Sequence, residues 1–203
     1  TRVQGLYNDL DSQVTQVTST IDQSIQDIQA NVNAIADLNK RIREQTIAGA
    51  DANDLKDQRD KAVQKLSGLA DIKTFQMDDG TVTVSLNQLT LVDAVGAHDV
   101  PTKFDVSTGQ LYDDKGRYDV TSGKLGGQLA VAKKVQDYQA KLDTFANTLR
   151  TAVNSIYASG TNAAGQTGNK FFNDLTPQTG AKDFALDAAV SSNPSAIAAG
   201  TSS

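Results

Sequence analysis

Three stretches of this chain carry a 3-4 spacing of mostly apolar residues, and the two longest lie in segments of about 35 residues each. The first runs Leu10, Val14, Val17, Ile21, Ser24, Ile28, Asn31, Ile35, Leu38, Ile42. The last runs Val131, Val135, Tyr138, Leu142, Phe145, Leu149, Ala152, Ile156. One residue per turn on a single stripe, averaging to a 3.5 repeat, is the pattern of helices lying side by side over a long contact. At 1.5 Å rise per residue such helices span roughly 50 Å, more than a small compact domain needs. Long seams of this kind suit mechanical or architectural work better than chemistry.

Composition agrees. Aromatic content is 5% and Trp is absent, which suits helix seams built from Leu, Ile, Val and Ala. The net charge is −5 and no Lys/Arg stripe is present, which argues against a nucleic-acid surface. Glu44 is the single glutamate, and this bias toward Asp has no evident physical reason. Cysteine is absent, so disulfides, thiolate nucleophiles and cysteine metal sites are all excluded. No apolar run approaches the ~18 residues that span a bilayer, and the first residues lack a charged-then-apolar leader. The heptads start almost at Thr1, so the chain reads as an internal fragment.

The periodicity predicts a first helix over residues 8–46, with Ser24 and Asn31 as polar seam positions of the kind that set register. Ile25 and Val32 widen its apolar face toward a bundle of three or more helices. Gly49 ends it, and Asp51 or Asn53 is placed to cap a second helix reaching about Ser67, antiparallel to the first. From Asp71 the period becomes two. Strands are expected around 73–77, 82–86, 89–92, 102–106, 110–113 and 117–120, with Asp78-Asp79-Gly80 and Asp114-Lys115-Gly116 as turns. A third helix is expected over 124–158, stopping at Gly160. Beyond it Phe171, Phe172, Leu175, Phe184, Leu186, Val190 and Ile197 are sparse anchors, with Pro194 at a helix start. The fold class is therefore α+β: long antiparallel helices forming a coiled-coil-like bundle with a small antiparallel β domain inserted. Residues 1–70 and 122–160 form a discontinuous helical shaft, 71–121 the β domain, and 161–203 an irregular Gly/Ala/Ser/Thr-rich segment partly docked on the rest.

No catalytic, cofactor or metal site emerges. His98 is the only histidine, and Gly96-Ala97-His98-Asp99 reads as a surface loop. Asp78-Asp79-Gly80 and Asp113-Asp114-Lys115-Gly116 lack the odd-numbered ligands and closing Glu of a calcium loop. Asp51, Asp54, Asp57 and Asp60 interleave with Lys56, Arg59 and Lys61, as on a solvated helix face. The glycines at 160–165 and 123–127 lack the residues and context of a phosphate or dinucleotide loop. The apolar stripes have no basic polar face for a membrane surface, so helix packing is their reading.

One motif is more specific. Asn53-Asp54-Leu55-Lys56-Asp57-Gln58-Arg59-Asp60, then Leu66-Ser67 and the hairpin Asp79-Gly80-Thr81-Val82-Thr83-Val84, resembles the flagellar hook-associated protein 1 family of hook–filament junction proteins. Leu125-Gly126-Gly127-Gln128-Leu129 resembles that family's Gly-Gly start of the second long helix. Gly168-Asn169-Lys170-Phe171-Phe172 resembles its G-x-x-F-F turn, and the stretch from Val32 to Leu38-Asn39 its A-x-x-I-x-x-L-N segment. The likeness spans roughly residues 28 to 198. One departure is Asn87-Gln88-Leu89, where the family usually has a Gly ahead of the Leu-Val strand.

The resemblance implies a non-enzymatic structural subunit in a ring joining hook to filament, outside the cell, exported unfolded by the flagellar type III apparatus. Its implied partners are the hook protein, the second junction protein, neighbouring copies of itself, and a cytoplasmic export chaperone acting through an absent C-terminus. No cofactor, nucleic acid or membrane is implied. The competing reading is a coiled-coil adhesin or tail-fibre-like binding module, though such proteins usually trimerise while this chain supplies its own partner helices. An enzyme would have to build its site from Asp and Lys alone.

Overall fold

The structure is a computed structural model that describes residues 1–174, 180–198 and 200–201. The expected anchor Leu175 lies outside the described residues. In chain order the elements are α1 (Arg2–Ile47), α2 (Asn53–Leu69), β1 (Ile72–Gln76), β2 (Val82–Leu86), β3 (Leu89–Val92), β4 (Lys103–Asp105), β5 (Gln110–Tyr112), β6 (Arg117–Asp119), α3 (Gly123–Tyr157), β7 (Gly160–Thr161), α4 (Ala188–Ser192) and β8 (Gly200–Thr201). A single 3₁₀ turn, Pro194–Ala196, follows α4 and has Pro194 in its first turn. The chain divides into two compact units, residues 15–134 and residues 1–14 with 135–203.

In the unit of residues 15–134, α1 buries Ile21, Ile25, Ile28, Val32 and Ile35 against Ala62 and Leu66 of α2 and Leu125, Leu129 and Ala132 of α3. The same core takes Val82, Val84 and Leu86 of β2, Leu91 and Val92 of β3, and Leu111 of β5. Leu38 and Ile42 form a smaller cluster with Ala52 and Leu55. Two antiparallel meanders are present, β1-β2-β3 and β4-β5-β6. β2 alternates buried and half-buried, the period-two pattern of a strand with one face on a core. β2 and β3 are joined by Asn87-Gln88, with Leu86 paired to Leu89. Asn87 sits at φ +50°, the left-handed region that glycine would fill, and its Nδ2 donates to the Asp119 carbonyl at 2.6 Å. The Asn87 side chain therefore also ties one meander to the other.

Three expectations are corrected. α1 begins at Arg2 rather than residue 8, because Val3 and Tyr7 extend the apolar stripe one turn at a time and pack beside Phe184. α2 is not capped by Asp51 or Asn53. The residue before the helix is Ala52, and the Asp51 carboxylate closes a turn onto the Asn53 amide (3.2 Å) and Nδ2 (2.8 Å) one residue too early to cap. On α3 the buried stripe lies about one position C-terminal of the one read from spacing. Ala132, Ala146 and Arg150 are buried, whereas Tyr138, Phe145 and Ile156 are exposed. The apolar face there is wider than its buried part, and hydrophobicity cannot say which edge faces inward.

The unit of residues 1–14 and 135–203 is organised by short polar side chains that hold an irregular chain. Asn154 Oδ1 accepts from the Phe171 and Phe172 amides at 3.0 and 2.9 Å, and its Nδ2 donates to the Phe172 carbonyl at 2.9 Å. Tyr157, Phe171, Phe172 and Phe184 stack in sequence with centroids 5.4, 5.0 and 4.5 Å apart. Phe184 and Val190 are buried, Phe171 and Phe172 half-buried, and Leu186 and Ile197 exposed.

Candidate functional site

The residues with most specific geometry meet at the β1–β2 turn. β3 ends opposite Val84, which leaves the outer backbone edge of Val82 without a strand partner. Asn39 of α1, 3% exposed, takes that place. Its Nδ2 donates to the Val82 carbonyl at 2.7 Å and its Oδ1 accepts the Val82 amide at 3.0 Å. An asparagine side chain carries one donor and one acceptor in the spacing of a peptide group, so it completes the ladder from a helix.

Arg59 of α2 holds the turn itself. It is 4% exposed, and its Nη1 donates to the Gly80 carbonyl at 2.7 Å. Its Nε and Nη2 both reach Asp60 Oδ1, at 3.1 and 3.0 Å. Gly80 lies at φ +81°, so the turn needs glycine for its backbone, and its Cα faces the Ile42 side chain of α1. Arg43 of α1 adds a third clamp, with Nε on Asp79 Oδ2 at 3.0 Å and Nη1 on the Ala94 carbonyl at 3.3 Å. Asp79 Oδ1 accepts from the Thr81 hydroxyl (2.6 Å) and amide (3.0 Å). The Thr81 hydroxyl, then its amide, hold the Asp79 carboxyl below its ordinary value, with a smaller contribution from Arg43.

The other turns repeat the device. Asp93 accepts from the His98 ring and the Val95 and Gly96 amides, which lower it. Asp105 is lowered to about 2 by the Ser107 hydroxyl and then Arg117. Burial would raise Asp113, but the Lys115 and Gly116 amides outweigh it. His98 thus sits in an exposed loop, its Nε2 2.8 Å from Asp93 Oδ2.

Of the matched motif residues, Leu55 and Arg59 are buried, while Asn53, Asp54, Asp57, Gln58 and Asp60 are exposed. Gly126 is buried, and a Cβ on it would lie 2.8 Å from Thr121 backbone; Gly127 has open space. Gly123 is tighter, at φ +73° with a Cβ position 2.7 Å from Ala70 Cα and the Leu69 carbonyl. Of the predicted seam, Ile21, Ile28, Ile35, Leu38, Ile42 and Val135 are buried and Leu10, Val14, Val17, Leu142 and Leu149 half-buried. The spacing did not reveal Arg150, which is 1% exposed. Its guanidinium bonds Asn147 Oδ1 (2.7 Å), the Gly180 carbonyl (3.2 Å) and Asp183 (3.3 Å), over the Phe184 ring. Its position between Ala146 and Val153 on the inner stripe was the available signal.

Among the described residues no group of three or more His or Asp/Glu side chains is placed to hold a metal ion, and no helix is long and apolar enough to cross a membrane. The specific polar geometry is spent on the chain's own backbone. Such a molecule is an α+β scaffold in which helices carry hairpins through side-chain clamps. The family is then explicit: a model of the flagellar hook-associated protein FlgK helical domain matches residues 1–172, and the chain belongs to that family. It is 30% identical over 198 residues to flagellar hook-associated protein 1 of Salmonella typhimurium (strain LT2), covering 87% of this chain and 36% of that protein. It is 31% identical over 178 residues to the same-named protein of Escherichia coli K12, covering 80% and 32%. The structure of the flagellar hook junction protein FlgK from Burkholderia pseudomallei superposes with a TM-score of 0.69 at 26% identity, covering 84% of this chain and 33% of that one. The chain thus spans about a third of the length of these relatives.

Proposed function

We propose that this chain is part of a structural subunit of the bacterial flagellum, joining hook to filament in a junction ring outside the cell, and that it has no enzymatic activity. The observation that carries the reading is the match of residues 1–172 to the FlgK helical domain. The clamped turn supports it, since Asn39, Arg43 and Arg59 use their polar atoms on backbone and on neighbouring aspartates rather than on a substrate cleft. The names of the relatives, hook-associated and hook junction, support the hook as a partner. In this reading the second junction protein and neighbouring copies in the ring are further partners, with an export chaperone acting before assembly. The helical parts, 1–70 and 122–160, act as the shaft that bears load in this reading.

Immunogold labelling of intact flagellated cells with antibody to this chain tests it. A single band of gold where hook meets filament is the expected result. Gold spread along the filament makes the chain a filament or cap component, and gold on the cell surface away from flagella favours the adhesin reading; either overturns the proposal.

A further inference from the structure

Asp79-Gly80 is the only Asp-Gly step in the chain, and Asn-Gly does not occur. At an Asp-Gly step the amide nitrogen that follows the aspartate can close on its side chain, because glycine puts no Cβ in the path of the ring. The Gly80 nitrogen bonds to Asp79 Cγ, a Cγ–O bond breaks and water leaves, giving a five-membered succinimide. Water then adds to either ring carbonyl. Addition at the former backbone carbonyl breaks its bond to the Gly80 nitrogen, so the chain runs on through Cγ as isoaspartate. Water is the one co-reactant, and nothing is oxidised or reduced. Asp93, Asp105 and Asp113 sit in turns of the same kind, but Ala94, Val106 and Asp114 follow them and crowd that approach.

Burial does not protect Asp79, whose side chain is 43% exposed. What opposes ring closure is hydrogen bonding. Both carboxylate oxygens are engaged, Oδ1 by the Thr81 hydroxyl and amide and Oδ2 by Arg43 Nε. These donors favour the ionised group, and a carboxylate resists attack at carbon where a neutral carboxyl accepts it. The attacking nitrogen is also held. The Gly80 N–H donates to the Met77 carbonyl at 3.0 Å, and the Gly80 carbonyl accepts from Arg59 Nη1. We propose that Asp79-Gly80 is the chain's site of isoaspartate formation, and that Arg43 and Thr81 keep it intact while the hairpin is folded. Isoaspartate adds one methylene to the backbone three residues before Val82, whose amide and carbonyl are held by Asn39. Conversion therefore unseats the hairpin from α1. The lesion starts in chains that have lost the turn and stops them regaining it. None of this depends on the junction reading.

The test incubates the 203-residue chain at neutral pH, either folded or denatured in guanidinium chloride, and then digests it with trypsin, which releases residues 74–103 as one peptide. Aspartate and isoaspartate have equal mass, so chromatography separates the two forms and electron-transfer fragmentation locates the change. In the denatured chain Asp79 is expected to convert before any other residue. In the folded chain it is expected to convert at least about tenfold more slowly, since ring closure waits for the turn to open. Arg43→Gln and Thr81→Val each remove one contact to the carboxylate and are each expected to speed conversion of the folded chain about two- to five-fold. Arg43→Lys is expected to restore part of the protection. Thermal melts of the variants are expected to stay well above the incubation temperature, which separates loss of the clamp from global unfolding. Equal rates in the folded and denatured chains, first conversion at another residue in the denatured chain, or folded variants that convert Asp79 no faster than the parent overturn the proposal.

Discussion

Replacing Asn39 with leucine isolates the helix-to-hairpin clamp. Leucine keeps the branching and approximate size of asparagine, so the change opens no large cavity. It removes the partners of two buried backbone groups, the Val82 amide and carbonyl. β3 ends before reaching Val82, so no strand supplies replacements. Each backbone group left unsatisfied in a buried setting costs about 1–3 kcal/mol. The pair therefore costs roughly 2–5 kcal/mol, less whatever the added apolar contact returns. At about 2–4 °C per kcal/mol for a chain of this size, the melting temperature should fall by about 10 °C. Asn31→Leu is the control, since the Asn31 Nδ2 bonds the Asp27 carbonyl one turn earlier on its own helix. It should be near neutral. Thermal melts give the magnitude, and native-state hydrogen exchange gives the location: the Val82 amide should lose protection while amides of residues 135–157 keep theirs. An Asn39→Leu chain that melts within about 1 °C of the parent with Val82 still protected would refute the clamp.

Leu38→Asp buries an unpaired charge and should unfold the unit of residues 15–134, costing more than about 3 kcal/mol, whereas Leu142→Asp, only half-buried, should cost less; urea denaturation ranks them. Gly123→Ala forces a side chain into a left-handed backbone against Ala70 and Leu69, so a loss of about 1–3 kcal/mol is expected in the same assay. Asp79, Asp93, Asp105 and Asp113 all have folded values below the ordinary 3.8, so their stabilisation is complete above about pH 4 and is lost as pH falls toward the folded value, about 2 for Asp105. Urea midpoints should drop across that window, and Asp105→Asn should flatten part of the drop. His98→Ala breaks an exposed contact to Asp93 and should shift the melt by no more than about 1 kcal/mol, with assembly at the junction unchanged under gold labelling.

The sequence by itself determined the three long helices and the six strands of the two meanders, though not the short α4, β7 and β8 in the segment it read as irregular. The 3-4 stripes of α1 and α3 and the period-two run Val82, Val84, Leu86 are local patterns, and the turns carry glycine and aspartate for local steric and hydrogen-bonding reasons. Even the Asn87 turn was readable, because asparagine tolerates the left-handed conformation that other residues avoid. The tertiary structure alone decided which edge of a wide apolar face goes inside. On α3 it chose Ala146 and Arg150 over Phe145, because chain far along the sequence, at Gly180 and Asp183, supplies the acceptors a buried guanidinium needs. It likewise decided what the polar residues of the matched motifs do. Arg59 and Asn39 stand among residues like any others until a hairpin some twenty to forty positions away brings them the Gly80 carbonyl and the Val82 backbone. Periodicity records which faces avoid water; a buried hydrogen bond depends on two specific atoms meeting, and only the folded chain brings them together.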